Sequence, residues 1–149
     1  MIYSVKITSE EGEIIEFGTD NTEENGLITD VKIHFDTTNN DVSKKAMGML
    51  EKITIKGKIL DSESVKKKYI DLFNWSKSLS KNQWYRSIVI KAYVGEDQDE
   101  VYRTYQFDNV FVVDYVEEYS SSTKDDTGKD HFELFLTQKE NNLQTIETY

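Results

Sequence analysis

Apolar and polar residues alternate with a period of two along most of the chain, a pattern that predicts β-strands. In the first such segment, Tyr3, Val5 and Ile7 share one face, and polar residues occupy the other. Similar patterns predict strands at residues 14–17, 27–35, 49–60, 84–94, 101–107, 110–119 and 132–138. The polar segments 18–26, 36–48, 95–100 and 120–130 are expected to be turns or loops. The sequence therefore predicts about eight strands.

One segment, residues 62–79, has helical periodicity instead. Its apolar stripe is predicted to contain Val65, Tyr69, Leu72, Phe73, Ser76 and Leu79. Asp61 and Ser62 precede it as a predicted cap. Trp75 lies beside the stripe, where it is expected to cover a sheet edge. Strands on both sides of one helix indicate a mainly β fold: an antiparallel barrel or sandwich with a flanking helix.

Two strand features leave alternatives open. Gly57 falls on the same face as Ile53, Ile55 and Ile59, where a missing side chain indicates either a bulge or the close approach of another element. Asp108-Asn109 separates two alternating segments. These segments are either one bent strand or two strands that meet at a tight corner.

The 149 residues are predicted to form a single domain, 1–149, with a polar tail at 139–149 that is expected to be flexible. No cysteine is present, which excludes a disulfide framework, a thiolate nucleophile and a zinc–thiolate cluster. The N-terminus is predicted to be a first strand and not a signal peptide, so synthesis in the cytoplasm is expected. No apolar segment is long enough for a membrane span.

The formal net charge of −10 argues against a nucleic-acid-binding protein, because phosphate contacts need a basic surface. The charge is explained either by solubility or by complementarity to a basic partner. Proline is also absent, although proline is one of the residues that keep sheet edges from pairing.

Residues for catalysis or metal binding do not form a recognisable pattern. His34 and His131 have no second ligand at metal spacing. The acidic groups Asp97, Asp99 and Glu100, and Asp125, Asp126 and Asp130, lack the spacing of a calcium-binding loop. We therefore expect no catalytic, cofactor or metal site, and we expect that the protein is not an enzyme.

The order of elements resembles that of the tube proteins of contractile injection machines. These include phage tail tubes and the haemolysin-coregulated protein (Hcp), the tube protein of type VI secretion. The resemblance lies in three segments. They are KITIKGKIL leading into the helix DSESVKKKYIDLFNWSKSL, the strand RSIVIKAYV, and YQFDNVFVVDYVEEYSSSTKDDTGKDHFELFLTQK. In the order of its elements, the resemblance covers most of the chain.

This resemblance implies a structural subunit that assembles into a closed ring, commonly a hexamer, and a stack of rings that forms the inner tube of a phage tail or phage-like particle. Its partners would be copies of itself, together with sheath, baseplate or tape-measure proteins. The loop at 36–48 is the expected contact to a neighbouring subunit or ring. The candidate contacts are Asn39, Asn40, Asp41, Val42, Lys44, Lys45, Met47 and Trp75.

Two other functions are compatible with the sequence. The acidic charge is also typical of a small inhibitor or immunity-type protein that binds a basic partner. Aromatic-rich strands can alternatively enclose a small apolar ligand within a barrel. The oligomeric state separates self-assembly from both alternatives.

Overall fold

The structure, a computed structural model, describes residues 1–18, 24–36, 50–78, 81–97, 99–121, 129–138 and 147–149. Eight strands are present: β1 (Ile2–Ser9), β2 (Ile14–Phe17), β3 (Ile28–Asp36), β4 (Leu50–Lys58), β5 (Arg86–Val94), β6 (Glu100–Glu118), β7 (His131–Gln138) and β8 (Glu147–Thr148). Two helices lie between β4 and β5: α1 (Glu63–Ser76) and the short α2 (Lys81–Trp84). No helix among these residues is long and apolar enough to cross a membrane.

All strands belong to one antiparallel sheet with the order β2-β1-β5-β6-β7-β4-β3, and β8 pairs with β6. The sheet is not closed by hydrogen bonds in the described part of the chain, because β2 and β3 remain at its two ends. Strand β3 nevertheless lies beside β1, so the sheet curls back on itself. The predicted mainly β fold with one flanking helix is confirmed.

Strand β6 is the bent strand that one of our two alternatives predicted. Its first part pairs with β5 and its second part with β7, so a single strand belongs to both halves of the sheet. Asn109, at the bend, has a φ of 56°. A register shift between Val112 and Asp114 adds a bulge just beyond it. Asparagine tolerates this left-handed conformation better than most residues with a side chain.

The core lies on the concave side of the sheet, where the apolar residues of alternating positions meet. Its largest fully buried side chains are Phe17, Phe107, Phe132, Ile7, Leu27, Ile53, Ile55, Leu72, Ile88, Ile90, Leu134 and Leu136. Gly57 pairs with Phe132 across β4 and β7. A Cβ at position 57 would lie 2.5 Å from Phe132 Cε1, so the glycine accommodates the ring. The close approach of another element at this residue is therefore confirmed, and the nearby bulge belongs to β3, between Ile28 and Asp30, and not to β4.

Helix α1 is shorter than predicted and buries a different face near its C-terminal end. Val65, Tyr69, Leu72 and Trp75 are the buried residues. The prediction that Phe73 lies in the buried stripe is wrong, because its side chain is 50% exposed. With Leu72 facing the core, Trp75 continues the buried row at a spacing of three, which turns Phe73 outward.

Ser62 is the N-cap residue of α1, as predicted, but its side chain makes no capping hydrogen bond. The Ser62 hydroxyl is hydrogen-bonded to the Ser64 hydroxyl at 2.9 Å instead of to the helix backbone. The carbonyl of Ser62 accepts from the amides of Val65 and Lys66. Leu79 lies outside the described residues.

Two chain segments near the ends of strands also differ from the predicted pattern. The strand expected from Trp84 begins at Arg86, because 81–84 form α2. At the C-terminus, the amide and carbonyl of Tyr149 pair with the carbonyl and amide of Thr104, at 3.0 and 2.7 Å. Residues 147–149 therefore cover the part of β6 that β7 does not reach, whereas residues 139–146 lie outside the described chain.

Candidate assembly surfaces

The contacts predicted for subunit assembly fall into two groups. Asn39, Asn40, Asp41, Val42, Lys44, Lys45 and Met47 lie outside the described residues, so their role stays a prediction. Trp75 is only 2% exposed. Its indole Nε1–H donates to the Trp84 carbonyl at 2.9 Å, so its place is inside its own subunit and not on an exposed surface.

Within the described residues, both terminal strands of the sheet, β2 and β3, have one backbone edge that pairs with no other strand. Strand β2 has four residues, with Ile14 52% exposed. Strand β3 is nine residues long, and among the described strands it pairs with β4 alone. Since an unpaired edge is a template for a strand from another chain, these two edges are suited to sheet continuation between subunits.

A first apolar surface, which we call the sheet patch, lies on the outer side of β4, β6 and β7. It is centred on Val113 and Phe135 and flanked by Lys52, Thr54 and Thr137, around a shallow cleft of about 460 Å³. Val113 is 62% exposed. It points outward because the register shift between Val112 and Asp114 leaves it without an opposing residue.

A second apolar surface, the helix patch, is formed by α1 and the end of β6. Ile70 and Phe73 lie on the outer face of α1, 48% and 50% exposed, beside Ile59 and Leu60. Tyr119, 62% exposed, completes a groove of about 380 Å³. Exposed apolar clusters of this kind are typical of interaction surfaces.

Hydrogen bonds fix the positions of the β6 side chains at the helix patch. Both Tyr115 and Tyr119 donate their hydroxyl hydrogens to the Glu117 carboxylate, at 2.7 and 2.9 Å. Burial and then the bond to Glu117 raise the pKa of Tyr115 above its usual value, and the same causes raise the pKa of Tyr119 to about 12. Both tyrosines therefore stay neutral donors at neutral pH.

A third site is a polar cleft of about 390 Å³ at one end of the sheet, between the β1–β2 turn, α1 and α2. Arg86 lies at its base and is 9% exposed. Its guanidinium stacks over the Trp75 ring at 5.2 Å, and its Nη2 is 3.8 Å from Glu13 Oε2. The Arg86 Nε–H has no hydrogen-bond acceptor. Burial lowers the Arg86 pKa, while Glu13 and Asp71 oppose this shift.

Two further buried charged groups were not expected from the sequence. Glu24, in the predicted polar loop before β3, is 4% exposed and accepts two hydrogen bonds from Lys68 Nζ, at 2.7 and 2.8 Å. This contact fixes the loop on α1. Glu51 on β4 is 1% exposed, and neither of its carboxylate oxygens has a hydrogen-bond partner among the described residues. Burial raises the pKa of Glu51 to about 7.

The alternation of buried and exposed positions along each strand predicts the burial of two charged groups, Arg86 and Glu51. Arg86 has the same position in the alternation as Ile88 and Ile90, so the pattern of β5 places it on the core side. Glu51 likewise shares the parity of Ile53 and Ile55. The pairing of Glu24 with Lys68 has no comparable sequence signal, because 44 residues separate the two.

The two histidines weighed as metal ligands, and two lysines of β4, lie at or near the surface. Lys56 is 3.5 Å from Glu133, and Lys58 is exposed. His34 is exposed as well, whereas His131 Nε2 lies 3.3 Å from Glu118. In the described part of the chain, no group of three or more His, Cys, Asp or Glu residues is arranged to hold a metal ion.

No protein-family model and no curated protein matches the sequence. Solved structures do match. The Hcp1 protein of E. coli EAEC 042 superposes with a TM-score of 0.64 at 12% identity, covering 100% of this chain and 98% of that one. A chain of an extracellular contractile injection system, from its PVC sheath–tube complex in the extended state, gives 0.52 at 17% identity, covering 99% and 87%. A chain of the anti-feeding prophage baseplate gives 0.51 at 7% identity, covering 99% and 91%.

The fold resemblance predicted from the three sequence segments is thus confirmed, and it extends over almost the whole length of each protein. At these identities the similarity concerns the fold. The chain has the fold shared by Hcp proteins and by chains of contractile injection particles.

Proposed function

We propose that this protein is a structural subunit that assembles into rings, commonly hexamers, and that these rings stack into the inner tube of a contractile injection machine or phage-like particle. The observation that carries the proposal is the full-length similarity of fold to Hcp1 and to a chain of a sheath–tube complex. This role is architectural and requires no catalytic or cofactor site.

The surfaces of the subunit support the proposal. The unpaired edges of β2 and β3 are at opposite ends of the strand order, so the β2 edge of one subunit and the β3 edge of the next are suited to join in one continuous sheet. Such a contact is heterologous, and heterologous contacts close into rings when the rotation permits. The helix patch and the sheet patch supply further apolar surface for contacts between subunits.

Within such a particle, the outer surface of the tube would contact a sheath protein, and its terminal rings would contact baseplate or tape-measure proteins. The subunit would be made in the cytoplasm and then incorporated. We propose that residues 39–47 contact a neighbouring subunit or ring. These finer assignments follow from the sequence resemblance and from the proposed tube.

The oligomeric state tests the proposal directly. Size-exclusion chromatography with light scattering should give a closed oligomer of about six subunits, and negative-stain microscopy should show rings or tubes. A protein that remains strictly monomeric at high concentration, with no rings in the micrographs, would refute the tube function. Stoichiometric recovery of a basic partner in a low-salt pull-down would then favour the acidic binding protein instead.

A further inference from the structure

Glu51 lies at one end of the core, on the face of the sheet that buries apolar residues. Its side chain is 1% exposed, and neither carboxylate oxygen has a hydrogen-bond partner among the described residues. Glu51 follows the same alternation as Ile53 and Ile55, so its carboxyl group is on the core side of β4. An ionised carboxylate is strongly unfavourable there unless it is paired or hydrated. The buried position of Glu51 therefore favours its protonated form.

The side chains next to Glu51 on the core face carry no charge. The register places Phe35 of β3 opposite Glu51 on one side. Continued by one residue, the register of β4 with β7 brings Gln138 to its other side. Gln138 is 5% exposed, and its side-chain amide donates to a backbone carbonyl of β6 at 2.9 Å. Neither neighbour compensates an ionised carboxylate.

The nearest charged side chains that the structure describes lie further away or on the other face. His34 and Lys52 pair with each other on the opposite face, where both are exposed. On the core face the row continues through Val110 of β6 to Arg86 of β5. Arg86 is three strand spacings from Glu51, about 14 Å along the sheet. Burial accordingly raises the pKa of Glu51 to about 7, without an opposing charge.

Three strands terminate beside Glu51. Strand β3 ends at Asp36, β4 begins at Leu50, and β7 ends at Gln138. In the described ladder, one residue pair, Asp36–Leu50, separates Glu51 from the end of the β3–β4 hairpin. Pairs at strand ends open at a lower free energy than pairs at the centre of a sheet. Hydration of Glu51 therefore requires the opening of this end and not the unfolding of the core.

We propose that Glu51 is a pH-sensitive switch for this end of the sheet, which is closed while the carboxyl group is protonated and opens when it ionises. The end includes the last residues of β3, whose unpaired edge is suited to contacts between subunits. Opening removes part of that edge, so assembly is favoured at pH values at which Glu51 holds its proton. This consequence rests on the proposed tube function, whereas the switch itself is a property of the isolated subunit.

Amide hydrogen exchange between pH 5 and pH 8, corrected for intrinsic exchange rates, measures the opening. The closed end holds a proton between the ordinary glutamate pKa of 4.5 and about 7, and the open end has released it. The protection factors of the amides at residues 51–53 should therefore fall by up to tenfold per pH unit and level off above about pH 7. In Glu51→Gln they should stay constant, because the amide side chain has no proton to release.

Two comparisons separate a local opening from other causes. The amides of Ile88 and Ile90, at the centre of β5, should be more protected than residues 51–53 at every pH. His34→Gln is the matched control, because histidine is the residue type that changes charge near neutral pH and His34 is exposed. This variant should retain the fall in protection that the unmodified protein shows.

Protection at residues 51–53 that does not depend on pH would overturn the proposal. Equal opening free energies at residues 51–53 and at Ile88 and Ile90 would overturn it as well, since Glu51 would then ionise only on global unfolding. A carboxyl carbon NMR titration of the unmodified protein provides a measurement that needs no variant. Its midpoint for Glu51 should lie near pH 7, and a midpoint near 4.5 would contradict the switch.

Assembly gives a separate readout. The concentration required for ring formation should rise from pH 6 to pH 8, and this rise should be several times larger for the unmodified protein than for Glu51→Gln. Equal rises beside a pH-dependent exchange profile would refute the link to assembly while the switch stands. If the unmodified protein assembles at neither pH, the tube function fails, and the exchange profile still decides whether the switch exists.

Discussion

Glu51 is a charged residue type in a buried position, where an ionised carboxylate is unfavourable. Its carboxyl group is buried on β4 without a hydrogen-bond partner, while its backbone carbonyl accepts from the Thr137 hydroxyl at 2.6 Å. Burial disfavours the ionised form and raises the pKa from 4.5 to about 7. The folded protein therefore holds a proton at pH values where the unfolded chain has released it.

This linkage gives a prediction for stability against pH. Well below pH 4.5 the carboxyl is protonated in both states, so it makes the stability independent of pH there. Between pH 4.5 and about 7 the folded state binds more protons, so the free energy of unfolding falls as pH rises, by at most about 3 kcal/mol. Glu51→Gln should remove this contribution and be more stable than the unmodified protein at pH 8.

Urea unfolding at pH 5 and pH 8 measures the effect. The difference between Glu51→Gln and the unmodified protein should grow with pH, because the variant has no proton to lose at this position. Glu63→Gln, at a fully solvated glutamate side chain that is 92% exposed, is the control. An equal pH dependence in Glu51→Gln and the unmodified protein would contradict the assigned environment.

At the scale of single elements, strand β6 depends on one residue for its bend. Asn109 adopts a φ of 56°, which asparagine and glycine tolerate and β-branched residues do not. We predict that Asn109→Val lowers the free energy of unfolding by about 1–2 kcal/mol. Asn109→Gly should keep the bend, so its unfolding midpoint should exceed that of Asn109→Val.

Thermal or urea unfolding of both variants checks this prediction. Val112→Ala, which changes a partly buried residue of the same strand outside the bend, controls for lost packing. Comparable stability of Asn109→Val and Asn109→Gly would show that the bend does not require a left-handed residue.

The strands and helix α1 were predictable from the periodicity of the sequence, with one exception in α1. Alternation located the strands because burial on one side imposes a period of two, and it located α1 because Val65, Tyr69 and Leu72 repeat at helical spacing. The sequence predicts Phe73 in the buried row, but Trp75 occupies that place. Periodicity does not distinguish the two, because both are large, apolar and adjacent to the stripe. Trp75 is the buried one because its indole stacks against Arg86 and donates a hydrogen bond to the Trp84 carbonyl, and both contacts are tertiary.

The candidate surfaces were less predictable than the strands. The exposure of Val113 results from a bulge, and a bulge depends on the register with β7 rather than on local sequence. The burial of Glu24 depends on Lys68 from another element. Arg86 and Glu51 were detectable by parity alone, whereas the cleft over Arg86 required the positions of both helices and the β1–β2 turn.

For the whole molecule, the helix patch should contribute to assembly and not to folding. Ile70 and Phe73 are half exposed, so replacing both with serine should change the free energy of unfolding of the isolated subunit by no more than about 1 kcal/mol. The same double variant should raise the concentration required for assembly at least tenfold. Light scattering across a dilution series measures both oligomer size and this concentration.

Lys6→Ser, on the outer face of β1, is the matched surface change and should assemble like the unmodified protein. Unaltered assembly of Ile70→Ser/Phe73→Ser would exclude the helix patch from the subunit contacts. The edges of β2 and β3, the sheet patch and the polar cleft at Arg86 would then be the remaining candidates within the described chain.

The strand order has a consequence for how the chain folds. Strand β1 pairs with β5, and β4 pairs with β7. Each of these two early strands therefore has one partner that is synthesised much later in the chain. During synthesis the β1–β2 and β3–β4 hairpins exist before the strands that join them. Such non-local pairing slows folding through the entropy of loop closure. Because the chain lacks proline, its topology sets the folding time without a contribution from proline isomerisation.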